Sequence, residues 1–415
     1  MRRLAEILRD GRCREDFRQF AWFAVGYAAV LALGYLVLRQ INLTLSAGEM
    51  GKFSYVSGLV GIVMPILYVA APQAYLRFHD NHAISPRLHR MLLPCFAAAA
   101  VGTGAIAWWK TGSAFALVYA AFPFFNGRLF IFRSQMRTGA VNAMKAAELA
   151  VPLVCVCVCS RLFTVDAAAV LAFYGVGYLL GFAFPLRLRE AEAPTRRTVA
   201  KFLVPVVFTT LVAALIENLT VVMAKSLLGY EAAAQMGVAA RNLIFIKALF
   251  SLLQMFYPVV YFREMKLGHH GTVRLYRLFI LSVALVAVGG MIAFAPLLYR
   301  LTGAAAYVGS ARVFMLLAAA FALDFVFETY GLYFQYEIKT WKATAVKSIF
   351  LVILLGGYAA LRFTSVVPAE STLVVLAGLV LAASAVSAAT GVTWAVLAER
   401  AHAVGGDPDK RRVTM

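Results

Sequence analysis

Runs of about 20 apolar residues recur along the whole chain and limit the possible folds more than any other feature. A helix that crosses the hydrocarbon core of a bilayer needs roughly 20 residues. On that measure the 415-residue sequence predicts 12 transmembrane helices. The predicted spans are 20–38, 53–72, 91–109, 114–132, 146–162, 167–186, 202–224, 236–257, 278–298, 312–334, 347–363 and 372–396.

Composition supports a polytopic all-α membrane protein and excludes other classes. Charged residues make up only 14% of the chain, whereas soluble globular proteins carry about a quarter. The same composition excludes a disordered, collagenous or coiled-coil chain. The five cysteines are an odd number with four in apolar runs, and the six histidines lie between or beyond those runs. A disulfide scaffold and a metal site are therefore not expected.

Basic residues are unevenly divided between the two sides of this predicted topology. The N-terminus, the connections after even-numbered spans and the C-terminal tail hold 28 of the 39 lysines and arginines, and the opposite connections hold 8. The positive-inside rule then places both termini in the cytoplasm. The bias explains much of the formal charge of +19, so no nucleic-acid binding is inferred.

The longest connection, residues 187–201, separates two groups of six spans. The sequence predicts a basic cytoplasmic N-terminus at 1–19 that flanks a retained first span, since no clear cleavage site follows it. It then predicts an N-terminal six-helix lobe at 20–186, a cytoplasmic linker at 187–201, a C-terminal six-helix lobe at 202–397 and a cytoplasmic tail at 398–415.

Both halves carry one short signature at a constant offset of 186 residues, which indicates a duplication. The matched positions are Met50, Gly51, Pro72, Tyr75 and Arg77 in the first half and Met236, Gly237, Pro258, Tyr261 and Arg263 in the second. A weaker match pairs residues 142–145 with 344–347. Because six spans is an even number, the repeats are predicted to be parallel, with a central cavity between two lobes. That arrangement is typical of transporters.

Three segments resemble Wzx-type lipid-linked oligosaccharide flippases, within the multidrug/oligosaccharidyl-lipid/polysaccharide exporter superfamily. They are residues 46–54 (SAGEMGKFS), 229–242 (GYEAAAQMGVAARN) and 301–303 (LTG) with the Ala-rich helix that follows. The resemblance implies 12 helices in two lobes in the bacterial inner membrane. It also implies alternating-access movement of an undecaprenyl-pyrophosphate-linked oligosaccharide to the outer leaflet for surface polysaccharide (O-antigen) assembly.

The expected partners follow from this resemblance. They are the lipid-linked glycan, membrane lipids, a coupling proton or sodium ion, and glycan polymerases or glycosyltransferases. A monomer without cofactor is expected. Where many relatives have an Asp-Arg pair, this chain has Glu217-Asn218, so the family role of that pair is not carried over to it.

Charged and polar residues inside the spans or at their ends are the candidate site residues, because charges at membrane depth usually face a bundle interior or an aqueous cavity. A guanidinium group suits a diphosphate because its planar fork can bind two oxygens. The candidates for diphosphate or glycan binding are Arg39, Arg128, Arg133 and Lys225. Those for cation coupling or sugar contact are Glu217, Asn218, Asp324 and Glu328, of which Asp324 and Glu328 share a helix face.

Three other functions remain open. A cation-coupled drug antiporter of the same superfamily would have an acidic, aromatic cavity with less need for deep arginines. A membrane enzyme would need a substantial outward loop, and the predicted outward connections are short. No P-loop sequence is present, so ATP hydrolysis of that kind is not expected, and an enzyme is not predicted. The third alternative is a scaffold for glycan assembly.

Overall fold

The structure is a computed structural model that describes residues 11–78, 83–135, 137–189, 194–336, 340–364 and 368–404. Helices are the regular elements throughout these ranges, which confirms the all-α prediction. The predicted N-terminus, linker and C-terminal tail each lie partly outside the described residues. The side chains of residues 11–24 also lie outside them.

The first part of the chain forms eight helices joined by short turns. They are α1 (Gly11–Thr44), α2 (Ala47–Leu67), α3 (Ala71–Arg77), α4 (Pro86–Thr111), α5 (Phe122–Ser134, preceded by the 3-10 helix Ala114–Ala121), α6 (Thr138–Cys159), α7 (Ala167–Leu180) and α8 (Arg196–Leu228).

Seven more helices follow. They are α9 (Tyr230–Asn242), α10 (Ile244–Lys266), α11 (His270–Ala293), α12 (Ala295–Leu301), α13 (Ala311–Tyr336, preceded by the 3-10 helix Ala305–Ser310), α14 (Thr340–Thr364) and α15 (Ala369–Val404).

Several helices begin at side chains that cap them. The hydroxyls of Ser46, Ser85 and Thr195 and the carboxylate of Asp166 each accept a hydrogen bond from a backbone N–H in the first turn of the following helix. Such caps satisfy amides that the helix itself leaves unpaired. These four residues therefore fix the starts of α2, α4, α7 and α8.

Ten of the described helical segments are long and apolar enough to cross a membrane. They correspond to ten of the twelve predicted spans. The predicted span 167–186 is a shorter apolar helical segment, Ala167–Ala183. The predicted span 236–257 is also helical, although it is divided between α9 and α10 at Leu243. Arg241 and Lys247 interrupt its apolar pattern.

The described residues pack as two units. The first comprises Met1–Val238 with Tyr299–Val308, and the second comprises Ala239–Leu298 with Gly309–Met415. Helix α8 packs along α2 within the first unit. The units differ in extent from the predicted lobes, and the division at residues 187–201 stays a prediction.

The turn at residues 301–303 is held by α1 within the first unit. The Tyr35 hydroxyl donates to the Leu301 carbonyl at 2.8 Å, and the Asn42 amide donates to the Thr302 carbonyl at 2.9 Å. Gly303 adopts a φ of 69°, a left-handed conformation that favours glycine. This turn is one of the segments that resemble the flippase family, and its conformation explains the glycine.

The matched glycines of the repeat lie at close helix contacts. In the first unit, a Cβ atom on Gly51 of α2 would overlap the carbonyl oxygen of Tyr230, and one on Gly237 of α9 would overlap the Ser54 hydroxyl. Met50 and Met236, which precede these glycines, are both fully buried. The Met-Gly positions of the two halves therefore let α2 and α9 approach each other.

The matched tyrosines are buried alike. Tyr75 and Tyr261 are both fully buried, each in its own unit. The Tyr75 hydroxyl lies 2.8 Å from His89 Nδ1, and the Tyr261 hydroxyl donates to Glu399 at 3.2 Å. Each tyrosine thus joins its helix to the end of another helix of the same unit.

Candidate functional site

Two predicted acids lie together on α13 in the second unit, beside a lysine of α14. Lys347 Nζ is 3.0 Å from Glu328 Oε1 and 4.0 Å from Asp324 Oδ2. The lysine side chain is only 16% exposed, and the Asp324 and Glu328 side chains are 26% and 35% exposed. The ammonium group therefore supplies positive charge to a carboxyl pair inside a membrane-length helix. Asp324, Glu328 and Lys347 are called the acid–lysine triad below.

Helix α15 helps to fix the position of Lys347. The Ser387 hydroxyl donates to the carbonyl of Val346 at 3.0 Å, next to the lysine. The ring of Phe327, on α13, lies against Gly391 of α15, where a Cβ atom would not fit. These contacts hold α13 and α14 against α15, so the lysine is presented to the acids by packed helices.

Aromatic side chains pack beside the acid–lysine triad along the same stretch of α13. Phe250 of α10 stacks on Phe325, with 4.0 Å between ring centres, and on Phe321, with 5.6 Å. Lys247 Nζ lies 5.4 Å from the centre of the Phe321 ring. A cation near the face of an aromatic ring is stabilised by the ring quadrupole. The second unit thus combines two acids, two lysines and stacked rings.

A second ionic group of this unit joins the start of α11 to the end of α15. The buried Arg277 guanidinium binds Glu399 through two hydrogen bonds, of 2.6 Å and 3.0 Å, and its Nε donates to the Tyr257 hydroxyl at 3.2 Å. The central carbon of the Arg277 guanidinium also lies 4.2 Å from the centre of the Tyr330 ring. Because the charge is paired and bidentate, a structural role in joining helix ends explains it.

Arg128 is held by backbone carbonyl groups in the first unit. One guanidinium nitrogen donates to the carbonyls of Phe182 and Phe184, which follow α7, and the guanidinium lies 4.9 Å from the Phe182 ring centre. The Arg128 Nε is buried without a hydrogen-bond partner. A positive side chain at the end of a helix satisfies carbonyls that the helix leaves unpaired. This arrangement gives Arg128 a structural role.

Two neighbours of Arg128 make similar contacts. Gln135 donates its amide to the carbonyl of Arg187 at 2.7 Å, and Arg137 donates to the carbonyl of Pro185 at 3.1 Å. The backbone N–H of Arg189 then donates to the carbonyl of Ile84 at 3.2 Å. The chain that leaves α7 toward the predicted linker is therefore held along its length.

The predicted residues Arg39 and Arg133 occupy more exposed positions. Arg39 lies near the end of α1, and Arg133 lies near the end of α5, with its guanidinium 5.3 Å from the Phe130 ring centre. Among the described residues, no hydrogen bond or ring contact joins either of them to Arg128. A common diphosphate site formed by these three arginines therefore stays a prediction.

Glu217 and Asn218 lie midway along α8, and they face different surroundings. Glu217 is exposed. Asn218 donates to the Ala214 carbonyl at 2.9 Å and packs against Gly61 of α2, where a Cβ atom would lie 2.7 Å from the amide nitrogen. Asn218 thus contributes to the contact between α2 and α8.

Lys225 lies near the end of α8 among aromatic rings. Its Nζ is 5.3 Å from the Tyr55 ring centre and 5.4 Å from that of Tyr230. A second lysine, Lys110 at the end of α4, lies 5.8 Å from the same Tyr55 ring and 3.4 Å from the Trp109 ring centre. Lys110 was not among the residues predicted from the sequence.

The structure brings Asp324 and Glu328 together beside Lys347. The grouping of the other predicted residues stays a prediction. Sequence reasoning missed Lys347 as the partner of the two acids, although the repeat had matched it to Lys145. It also missed Arg277 and Glu399, which lie at predicted span ends, where charged residues are expected for other reasons. Among the described residues, no group of three histidine, cysteine or acidic side chains could hold a metal ion.

Together, the membrane-length helices and the charged groups within them define a multi-pass membrane protein. No protein-family model and no curated protein matches the sequence. The fold is similar to that of a multidrug resistance MATE family transporter of the MOP superfamily in its inward-facing conformation. That match has a TM-score of 0.57 and 16% identity over 94% of this chain and 92% of the other.

Two further solved structures show the same similarity. One is the outward-facing conformation of a multidrug resistance MATE family transporter of the MOP superfamily, with a TM-score of 0.58 and 14% identity over 91% and 96% of the two chains. The other is a MATE protein in the straight conformation, with a TM-score of 0.59 and 13% identity over 92% and 96%. At these identities the similarity establishes a MATE-like fold for nearly the whole chain.

Proposed function

We propose that this protein is an alternating-access transporter of the bacterial inner membrane, with both termini in the cytoplasm. Its fold supports this proposal, since structures similar to it include inward-facing and outward-facing conformations of MATE family transporters. A membrane enzyme or a scaffold for glycan assembly receives no comparable support.

Among transporters, we propose a flippase for an undecaprenyl-pyrophosphate-linked oligosaccharide that serves surface polysaccharide assembly. The acid–lysine triad is the observation that favours it over a drug antiporter. A cationic drug would need open negative charge, whereas Glu328 and Asp324 already lie beside the Lys347 ammonium group. The family-like segments at residues 46–54, 229–242 and 301–303 add to this preference.

In this proposal the two kinds of charge have different tasks. The predicted basic residues Arg39, Arg128, Arg133 and Lys225 neutralise the diphosphate while it crosses the low-dielectric layer. Glu217, Asn218, Asp324 and Glu328 bind a coupling proton or sodium ion, or contact sugar hydroxyls. A coupling cation at Asp324 and Glu328 has to compete with Lys347.

The direct test is transport by the purified protein in proteoliposomes. A fluorescent polyprenyl-pyrophosphate-linked oligosaccharide is placed in both leaflets, and a glycosidase is added outside the vesicles. The glycosidase should cleave more than the outer-leaflet fraction of the oligosaccharide only when the protein is present. Uptake of a cationic dye by the same vesicles measures the antiporter alternative. Dye transport without glycan flipping would show that the flippase proposal is wrong.

A further inference from the structure

Lys110, Lys225, Tyr55 and Tyr230 form a cluster in the first unit, called the two-lysine cluster below. All four side chains are half-buried. Lys110 ends α4, Lys225 ends α8, Tyr230 begins α9, and Tyr55 lies early in α2. Four helices therefore bring this cluster together, on the side predicted to face out of the cell.

The two lysines of the cluster share one aromatic ring. Both ammonium groups lie within 5.8 Å of the Tyr55 ring centre. The two nitrogens are therefore at most about 11 Å apart, which is comparable with a Debye length of about 8 Å at physiological ionic strength. An anion that contacts both ammonium groups would relieve the repulsion that remains after screening.

Neither lysine has a carboxylate partner among the residues that the structure describes. Their contacts are to the rings of Tyr55, Tyr230 and Trp109. The nearby Lys52 differs, because it binds Glu49 at 2.6 Å. Aromatic rings stabilise a cation without using its three N–H donors. Lys110 and Lys225 therefore keep donors for an anion.

The rings also fix the shape of the cluster. Tyr55 and Tyr230 meet edge to face, with 6.0 Å between ring centres, and the backbone of Tyr230 lies against Gly51. The ring of Trp109 is 72% exposed beside Lys110, which leaves the cluster open on that side. A site with two ammonium groups and rigid aromatic walls suits a compact anion with several oxygens.

We propose that the two-lysine cluster binds a phosphate group through Lys110 and Lys225. The phosphate could belong to a diphosphate-linked substrate or to the headgroup of an anionic lipid. If the phosphate belongs to the substrate, the inference rests on the proposed flippase function. The diphosphate then binds here after it has crossed the membrane. Lys110, Tyr55 and Tyr230 are its new members.

Calorimetric titration of the purified full-length protein in a phosphate-free sugar detergent tests the site. Inorganic pyrophosphate is one probe, and phosphatidylglycerol added to the micelles is the other. We expect wild-type protein to bind at least one probe, and the Lys110→Gln, Lys225→Gln double variant to bind it more weakly by on the order of tenfold for each lysine removed. Lys52→Gln is the matched control, and its affinity should change less.

The two probes distinguish the sources of the phosphate. Binding of pyrophosphate assigns the site to the diphosphate, and binding of phosphatidylglycerol alone assigns it to a lipid headgroup. If the double variant does not fold, the Lys110→Arg, Lys225→Arg variant keeps both charges and should retain the affinity, while each single glutamine variant should lower it. Absence of binding by the wild type, or equal affinity in every variant, would overturn the proposal.

The outcome is independent of the transport assay. A protein that binds pyrophosphate at these lysines but does not flip the glycan would contradict the proposed function and leave the site intact. A protein that flips the glycan, with unchanged pyrophosphate affinity in the double variant, would contradict the site alone.

Discussion

Replacing Lys347 with glutamine removes the ammonium group that lies between Asp324 and Glu328. Two carboxylates one helical turn apart in a low-dielectric region disfavour simultaneous ionisation. Without the lysine, a proton or a metal cation can supply positive charge in its place. We therefore expect the variant to be less stable than wild type in the absence of sodium, and to be stabilised by sodium.

The distances set the size of this effect. Two unit charges about 3 Å apart attract by roughly 5 kcal/mol at an effective dielectric constant of about 20, before the cost of desolvation. Breaking a buried pair costs about 3–5 kcal/mol, and exposed pairs contribute about 0–1 kcal/mol. Because the side chains of the triad are 16–35% exposed, a loss of about 1–3 kcal/mol is expected. That range corresponds to about fivefold to 150-fold in an equilibrium constant.

Lys145 offers a matched control in the first unit. It occupies the repeat position equivalent to Lys347, and it binds Glu148 of its own helix at 2.7 Å. Removal of Lys145 leaves one carboxylate without its lysine, whereas removal of Lys347 leaves two. A pair with this i, i+3 spacing contributes about 0.2–0.5 kcal/mol, so Lys145→Gln should lose little stability and gain no sodium response.

Thermal unfolding of the purified proteins in sodium chloride and in choline chloride at equal ionic strength measures the response. Lys347→Gln should gain stability with sodium, and the gain should disappear in the Lys347→Gln, Glu328→Gln double variant. In proteoliposomes, wild-type flipping should respond to an imposed proton or sodium gradient, and the Asp324→Asn, Glu328→Gln variant should not. The same sodium response in Lys347→Gln and wild type would refute the reasoning, as would flipping that ignores every gradient.

The remaining predictions concern single positions. If Arg128 contacts a diphosphate, Arg128→Ala should abolish flipping in a protein that still reaches the membrane, and Arg128→Lys should restore only part of the flipping activity. Lost stability with normal flipping would assign Arg128 to its carbonyl contacts alone. Gly51→Ala should cost about 1–3 kcal/mol in thermal unfolding because its methyl group overlaps a neighbouring carbonyl, whereas Gly48→Ala, with open space around it, should cost nothing. In a cysteine-free background, a cysteine at Gly112 should react with an impermeant reagent from outside and one at Thr195 only from the cytoplasm; external labelling at Thr195 would invert the topology.

The helical architecture could be predicted because hydrophobicity and span length are local properties of the sequence. The repeat signature included Gly51 and Gly237, but their close helix contacts were not predicted and are shown by the structure. The division of the eighth span at Leu243 was not predicted. The apolar pattern around Leu243 is weakened by two basic residues, and their consequence depends on what packs against them.

The partners of the charged residues could not be predicted, because they are distant in the sequence. Arg128 reaches carbonyls of Phe182 and Phe184 more than 50 positions away, and those carbonyls belong to apolar residues that carry no signal of their own. The helix face shared by Asp324 and Glu328 was predicted correctly. Helical periodicity identifies residues on one face of a helix, but it does not identify the neighbouring helix.

The matched positions of the two halves show which features of the duplicated sequence the halves still share. Tyr75 and Tyr261 are buried alike, yet one meets a histidine and the other meets the Arg277–Glu399 pair. Lys145 binds an acid on its own helix, whereas its counterpart binds acids on another helix. A packing position tolerates few changes because the interior is dense, but a polar partner can be replaced whenever the charge remains balanced. The two halves therefore share these packing positions and differ in their charged partners.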